Sequence, residues 1–337
     1  MSTAWAYAVA PSDGSPLFYE SWGERGHTTP VLLCDGIGCD GYVWRHLRHG
    51  LADRHCVHPH YRGHGRTALP RDPTRVTIED LADDVACVLD DALIDRAILI
   101  GHSMGVQVSL ETYRRHGGRV AGLVLICGAA SYPLRTFRGS TALEDWLPTI
   151  QKWIQRVPGV INRVTRAMLP TRLAYEIASR LEIRRELIEP ADFMPYLEGM
   201  ARIDARLFVA MLAAAGRHSA EDLLPAVRVP TLVIAGGRDG FTPPERSRAI
   251  AGAIPDAELL EIPNASHTAP IEHPHLVNFT VRDFLARRID HVGDATRSAR
   301  DDAHAERDDA GDHAAGPAGG DVGGSTGGRD KRSASTE

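Results

Sequence analysis

The stretch from Ile98 to Gln107 reads ILIGHSMGVQ, and it changes character within a few residues. An apolar run, Ile98-Leu99-Ile100, gives way to Gly101-His102-Ser103-Met104-Gly105, where a hydroxyl stands between two glycines. A short apolar run ending in glycine reads as a buried strand, and from Met104 to about His116 the apolar side chains return at helical spacing. The bend between them is either a plain tight turn or a turn that lifts the Ser103 hydroxyl clear of both elements. Its surroundings in the chain decide which.

Working outward, "AWAYAVA" (4–10) and "PLFYESWG" (16–23), joined through "PSDGS", predict an antiparallel pair of strands. "PVLLCDG" (30–36) predicts a short buried strand, and "RHCVHPHYRG" (54–63) a weaker one that enters a glycine-rich loop. "TIEDLADDVACVLDDALI" (77–94) carries apolar residues at helical spacing, with Thr77 as N-cap and Asp80 three residues on, close to a capping box. Beyond the Ser103 helix come a strand, "RVAGLVLICGAA" (119–130), then "VPTLVIAGG" (229–237), a helix over Pro244–Ala253, "AELLEIP" (257–263) and a last helix over Pro274–Arg288. Alternating strands and helices predict a mostly parallel sheet covered by helices, with its working loops at the carboxyl ends of the strands.

Between residues 132 and 218 the pattern turns wholly helical, in "LEDWLPTIQKWIQ", "GVINRVTRAML", "RLAYEIASRLEI" and "DFMPYLEGMARIDARLFVAMLAAAG". We read it as a helical cap inserted into an α/β core made of 1–131 and 219–289; the plainer alternative is that these helices belong to the core. Residues 290–337 are rich in Gly, Asp, Arg and Ser with almost no large apolar side chain, so they cannot offset their ordering entropy by burial and are expected to be disordered.

The 337 residues are 43% apolar, enough for a large core, and carry a formal net charge of −6 with no basic stripe, which argues against a nucleic-acid partner. The five cysteines lack the paired short spacings of zinc, redox or disulfide frameworks. Cys34, Cys56, Cys87 and Cys127 lie in apolar runs as small core residues, Cys39 lies in a loop open to exposure, and a reducing cytoplasm is the simplest compartment. No run of about 20 apolar residues suggests a membrane span, and "MSTAWAYAVAPSDG" lacks the basic start of a signal peptide.

Gly-x-Ser-x-Gly between a strand and a helix is the pattern of a nucleophile elbow, because small residues two positions either side let a strained serine sit between the two elements. A serine hydroxyl needs a base, and the base an orienting acid. "LVIAGGRDGFTPP" places Asp239 just after one strand, and "LLEIPNASHTAPIEHP" places His267 after the next, so both fall on the Ser103 edge. His102 reads as packing, and His273 and His275 as surface or capping residues.

With this order of serine, acid and histidine, the sequence resembles the α/β-hydrolase superfamily from about Leu17 to Arg288. "YRGHGRT" (61–67) is similar to the family's R-G-x-G-x-S loop and "IEHPHLVNFTVRDFL" to its final helix. The resemblance implies catalysis by Ser103, Asp239 and His267, and an oxyanion hole from the backbone N–H groups of Met104 and Ile37. Where the family commonly has His-Gly, this chain has Asp35-Gly36. A carboxylate there would oppose an oxyanion, so the Asp35 side chain is expected to turn away and bond within its loop, the alternative being a catalytic or water-positioning role. His60 stands where the family often has Asp, and Arg62 and His64 read as structural.

Serine at the elbow separates this chain from dehalogenases and epoxide hydrolases, which place Asp there, and from dienelactone hydrolases, which place Cys. A prolyl iminopeptidase would carry H-G-G-P-G. What remains is an ester hydrolase needing no metal or cofactor, with lactonase or enol-lactonase, cofactor-free perhydrolase and C–C bond hydrolase as alternatives, and a non-catalytic ligand-binding protein as the alternative of another class. Gly36, Gly38, Trp146, Trp153, Met194, Phe208 and Met211 are the candidates for a pocket around a small-molecule acyl substrate, with Met200 as a further bulky apolar residue.

Overall fold

The computed structural model describes residues 3–26, 28–135, 139–181, 188 and 190–290, within a unit spanning Met1–Val292. The tail expected from 290 on lies outside them but for Asp290, which closes the last helical turn and pairs with Arg54.

Eight strands form one sheet in the order β1-β2-β4-β3-β5-β6-β7-β8. β1 (Thr3–Val9) and β2 (Pro16–Trp22) are the antiparallel hairpin, and β2 runs antiparallel to β4 (Cys56–Pro59). β3 (Val31–Cys34), β5 (Ala97–His102), β6 (Val120–Ile126), β7 (Thr231–Gly236) and β8 (Glu258–Ile262) continue the sheet in parallel. Every residue of β3, β4, β5 and β7 is buried, as helices on both faces require of parallel strands.

The period of two along a strand divides these side chains between two apolar layers. Leu32 and Leu99 pack on one face with α2 (Ile78–Asp91) and α3 (Met104–His116), while Leu33, Ile98 and Ile100 pack on the other with α1 (Arg45–Gly50) and α11 (Pro274–Leu285). The capping box of α2 is complete: Thr77 Oγ1 accepts the Asp80 N–H and Asp80 Oδ2 accepts the Thr77 N–H, each at 3.2 Å. α9 (Pro244–Ala253) and the short α10 (Ala269–Glu272) complete the layers around the sheet.

Between β6 and β7 the described residues form five α-helices, α4 (Ala142–Arg156), α5 (Pro158–Met168), α6 (Arg172–Leu181), α7 (Pro190–Arg202) and α8 (Ala205–Arg217). The stretch 192–216, helical throughout by spacing, breaks where Asp204 leaves helical angles and caps α8 by accepting the Arg206 N–H at 2.9 Å. Cys39 is buried at 4% exposure rather than exposed, packed under its loop, and Cys87 is only half-buried. No helix among the described residues is long and apolar enough to cross a membrane.

Candidate active site

Ser103 follows β5 with φ 56° and ψ −118°, a left-handed region that a residue with a Cβ adopts at a cost of order 1–3 kcal/mol. The surrounding structure holds it there: the Ser103 N–H donates to the Ile126 carbonyl of the neighbouring strand at 3.0 Å. The flanking glycines are required by close approach. A Cβ on Gly101 would lie 2.3 Å from the Gly105 carbonyl oxygen, and one on Gly105 would lie 2.0 Å from that of Cys34. Ser103 occupies the N-cap position of α3 yet makes no side-chain capping bond, so its hydroxyl faces away from the helix it begins. The helix N-terminus beneath it favours negative charge.

Strand order brings the partners in. β7 and β8 are adjacent, and their following loops are stitched by Gly237 N–H to the Ile262 carbonyl at 2.9 Å and Arg238 N–H to the Ala265 carbonyl at 2.9 Å. On these loops His267 Nδ1 lies 2.8 Å from Asp239 Oδ2 and His267 Nε2 lies 2.9 Å from Ser103 Oγ. Asp239 is 4% exposed, and its Oδ1 accepts the N–H groups of Phe241 and Thr242 at 2.8 and 2.9 Å. A carboxylate so placed accepts the Nδ1 proton, leaving the Nε2 lone pair for the serine hydroxyl.

β3 and β5 are adjacent as well, with Cys34 registered against Gly101, at the point where strand order reverses and ligand crevices form. The loop after β3 therefore runs beside Ser103: a Cβ on Gly36 would stand 3.1 Å from Ser103 Cβ, and one on Gly38 would stand 3.0 Å from Met200 Cγ and 3.4 Å from Phe208 Cε2. Ile37 lies between these glycines in the rim that this loop forms beside Ser103, and Met104 opens α3 directly after Ser103.

Of the pocket candidates, Gly36, Gly38 and Phe208 are brought to this rim, and Met200 joins them. Met211 is fully buried in the core, Met194 packs around Tyr175 and Phe193, and Trp146 and Trp153 are 64% and 63% exposed on α4. Met211 shares its apolar cluster with Met104, while the two tryptophans turn to solvent, because the spacing that makes a helix amphipathic does not say which side of it is covered. A separate cleft of about 590 Å³, lined by Leu69, Val76, Gln151, Leu207 and Arg217 among others, contains none of the three central residues.

A sequence profile described as the alpha/beta hydrolase fold matches residues 29–274. The chain belongs to this family. It is 29% identical over 272 residues to a dihydrolipoyllysine-residue acetyltransferase component of an acetoin cleaving system from Pseudomonas putida, covering 80% of this chain but only 66% of that relative. It is 29% identical over 266 residues to RutD of Azorhizobium caulinodans, a protein named for carbamate hydrolysis, covering 78% of this chain and 92% of RutD. Among solved structures, an enol-lactonase from Burkholderia xenovorans LB400 superposes with a TM-score of 0.68 at 28% identity, over 84% of this chain and all of that one.

Within the hydrolase scaffold, several residues that sequence reasoning did not single out support the central three. Thr242 Oγ1 lies 2.8 Å from both Asp239 Oδ2 and the Cys127 carbonyl, and the Phe241 ring stacks on His267 at 5.0 Å. Glu272 accepts the Ser266 N–H at 2.6 Å, anchoring the residue before His267. His102 packs as expected and also donates from Nε2 to the His267 carbonyl at 2.8 Å; burial pushes its pKa down to about 4, so the ring stays neutral. The only sequence signal for these was the density of turn and polar residues in "RDGFTPP" and "ASHTAPIEHP". His273 takes the N-cap position of α11, and His275 is exposed.

Among the described residues, two groups of side chains gather ligand atoms closely enough to be considered for a metal, Glu20 with His58 and His60, and Glu79 with Glu111 and His218. Both are engaged internally. His60 Nδ1 accepts the Arg66 N–H at 2.9 Å and His58 binds Asp35, while Glu111 bonds His218 at 3.0 Å and also holds the Arg114 guanidinium at 3.0 Å.

Proposed function

We propose that the protein is a serine hydrolase that cleaves carboxylic esters through an acyl-enzyme. The observation that carries the reading is the bonded series from Asp239 through His267 to Ser103, at 2.8 and 2.9 Å, ending on a strained residue at a helix N-terminus. His267 Nε2 takes the hydroxyl proton as Ser103 Oγ attacks the acyl carbon. The N–H groups of Met104 and Ile37 hold the oxyanion, and the imidazolium returns its proton to the leaving alkoxide. Water, deprotonated by His267, then attacks the acyl-enzyme and releases the acid. Asp239 keeps the Nδ1 proton in place, supported by the two backbone donors and Thr242.

In this reading residues 1–131 and 219–289 form the catalytic core and 132–218 the cap, whose Met200 and Phe208 border the Gly38 side of the rim. Enol-lactone opening is the second reading, favoured by the similarity to the Burkholderia enzyme, since a lactone is a cyclic ester open to the same attack.

The test is labelling by a fluorophosphonate together with burst kinetics on a p-nitrophenyl ester. Stoichiometric modification of Ser103 and a burst of one nitrophenolate per chain are expected. Absence of both would return the protein to the class of ligand-binding scaffolds. Steady-state rates on simple esters, lactones, carbamates and β-diketones then rank the substrate classes.

A further inference from the structure

The two positions that depart from the family pattern, Asp35 and His60, meet in one buried cluster around His58. The partner of Asp35 is not in its own loop, where a bond was expected. Asp35 Oδ2 lies 2.8 Å from His58 Nε2, on the adjacent strand β4. Both side chains are almost fully buried, at 0% and 2% exposure. The other ring nitrogen, Nδ1, faces Glu20 Oε1 of β2 at 3.6 Å, and Glu20 is in turn paired with Arg48 of α1 at 2.7 Å. An imidazole bonded to one carboxylate at Nε2 and facing a second within ion-pair distance of Nδ1 is favoured as the imidazolium.

We infer that His58 is a positioning residue for the Ser103 site: its imidazolium cancels the Asp35 charge beside the oxyanion loop and holds the Gly36–Gly38 turn against Ser103. The inference rests on the proposed role of Ser103, although the ion pair itself does not. Without His58, a fully buried carboxylate would stand next to the place where negative charge develops, raising the barrier to attack. The site thus accommodates Asp-Gly because the compensating charge comes from the neighbouring strand.

Other charged and titratable groups around the ring are consistent with this. His60, with its ring 4.9 Å away, is pushed down to about 4 by burial and by His58, so it adds no second charge. Asp40, further along the same loop as Asp35, is pushed up by burial and by Asp35. Although burial alone would lower its pKa, His58 is raised to about 9 by Asp35 and Glu20. A raised folded-state value means that the pair's contribution is complete below the ordinary histidine range and is lost as pH rises through about 9.

The experiment compares His58→Gln, Asp35→Asn and the double variant with wild type, normalising each rate to the fraction labelled by fluorophosphonate. Kinetics on a p-nitrophenyl ester are followed between about pH 6 and pH 10.5, a range set to bracket histidine titration. His58→Gln leaves Asp35 charged and alone, and kcat per labelled site is expected to fall on the order of 30-fold with KM nearly constant. The double variant removes both charges and is expected to recover to within about 5-fold of wild type. The wild-type profile should carry an alkaline limb near 9 that is absent from the double variant.

If kcat per labelled site is unchanged in His58→Gln, or the alkaline limb persists in the double variant, the inference is overturned and His58 is packing only. Should His58→Gln fail to fold, the double variant's activity and profile decide alone. If wild type is never labelled, the Ser103 reading fails separately. Histidine NMR then reads the pair by itself: His58 should stay protonated well above pH 7 and titrate lower in Asp35→Asn, and a neutral His58 at pH 7 would refute the pairing.

Discussion

β5 and α4 are both rich in apolar residues, and the fold treats them oppositely. Every residue of β5 is buried, with Leu99 packed on one face of the sheet and Ile98 and Ile100 on the other. In α4 only Leu147 is buried, while Trp146, Ile150 and Trp153 turn to solvent. A central parallel strand is covered on two sides by helices, whereas an inserted helix is covered on one. The difference teaches where precision can be built. Ser103, Asp239 and His267 all follow strands of the buried sheet, which can hold a strained serine and two hydrogen bonds in register. The inserted helices touch the site at its rim, through Met200 and Phe208.

This contrast can be broken by substitution. The largest effect is expected at the sheet edge itself: Ser103→Ala should lower kcat on a p-nitrophenyl ester by about 10⁴-fold or more with the fold intact, checked by steady-state kinetics and circular dichroism. Next, Leu99→Ala leaves a cavity in a fully buried layer, and urea unfolding should report a loss of about 2–5 kcal/mol. Thr242→Val removes the hydroxyl between Asp239 and the Cys127 carbonyl. A loss of about 1–3 kcal/mol in stability is expected, with a smaller reduction in kcat than at Ser103, both read on the purified variant. The smallest effect belongs to the inserted helices: Trp153→Ser, at a solvent-facing position, should shift stability by no more than about 0.5 kcal/mol. A Trp153 effect as large as that of Leu99 would mean that the α4 face is covered in solution, and the contrast would fall.

Much of the frame was legible because its signals are local. Thr77 and Asp80 announce the start of α2 by capping chemistry, Gly101 and Gly105 announce a turn that no Cβ tolerates, and alternating strand and helix patterns announce a parallel sheet. The positions of Asp239 and His267 after consecutive strands were enough to bring them to the Ser103 edge. The supporting contacts were not legible. Thr242 and Phe241 act through a loop conformation that no periodicity describes, and His58 reaches Asp35 only because β4 and β3 are neighbours. The bulky cap residues differ for the same reason: Phe208 packs beside Gly38, while Trp146 and Trp153, equally bulky and equally well spaced, turn to solvent.

The amino-acid sequence by itself determined the kinds of element, the strained bend at Ser103 and the chemical identity of its partners, since these follow from side-chain size, spacing and backbone limits within a few residues. The tertiary structure alone decided which strands lie side by side, which carboxylate neutralises which imidazole, and which apolar faces are covered. Those outcomes depend on contacts between residues far apart in the chain, and on burial, which no local stretch contains.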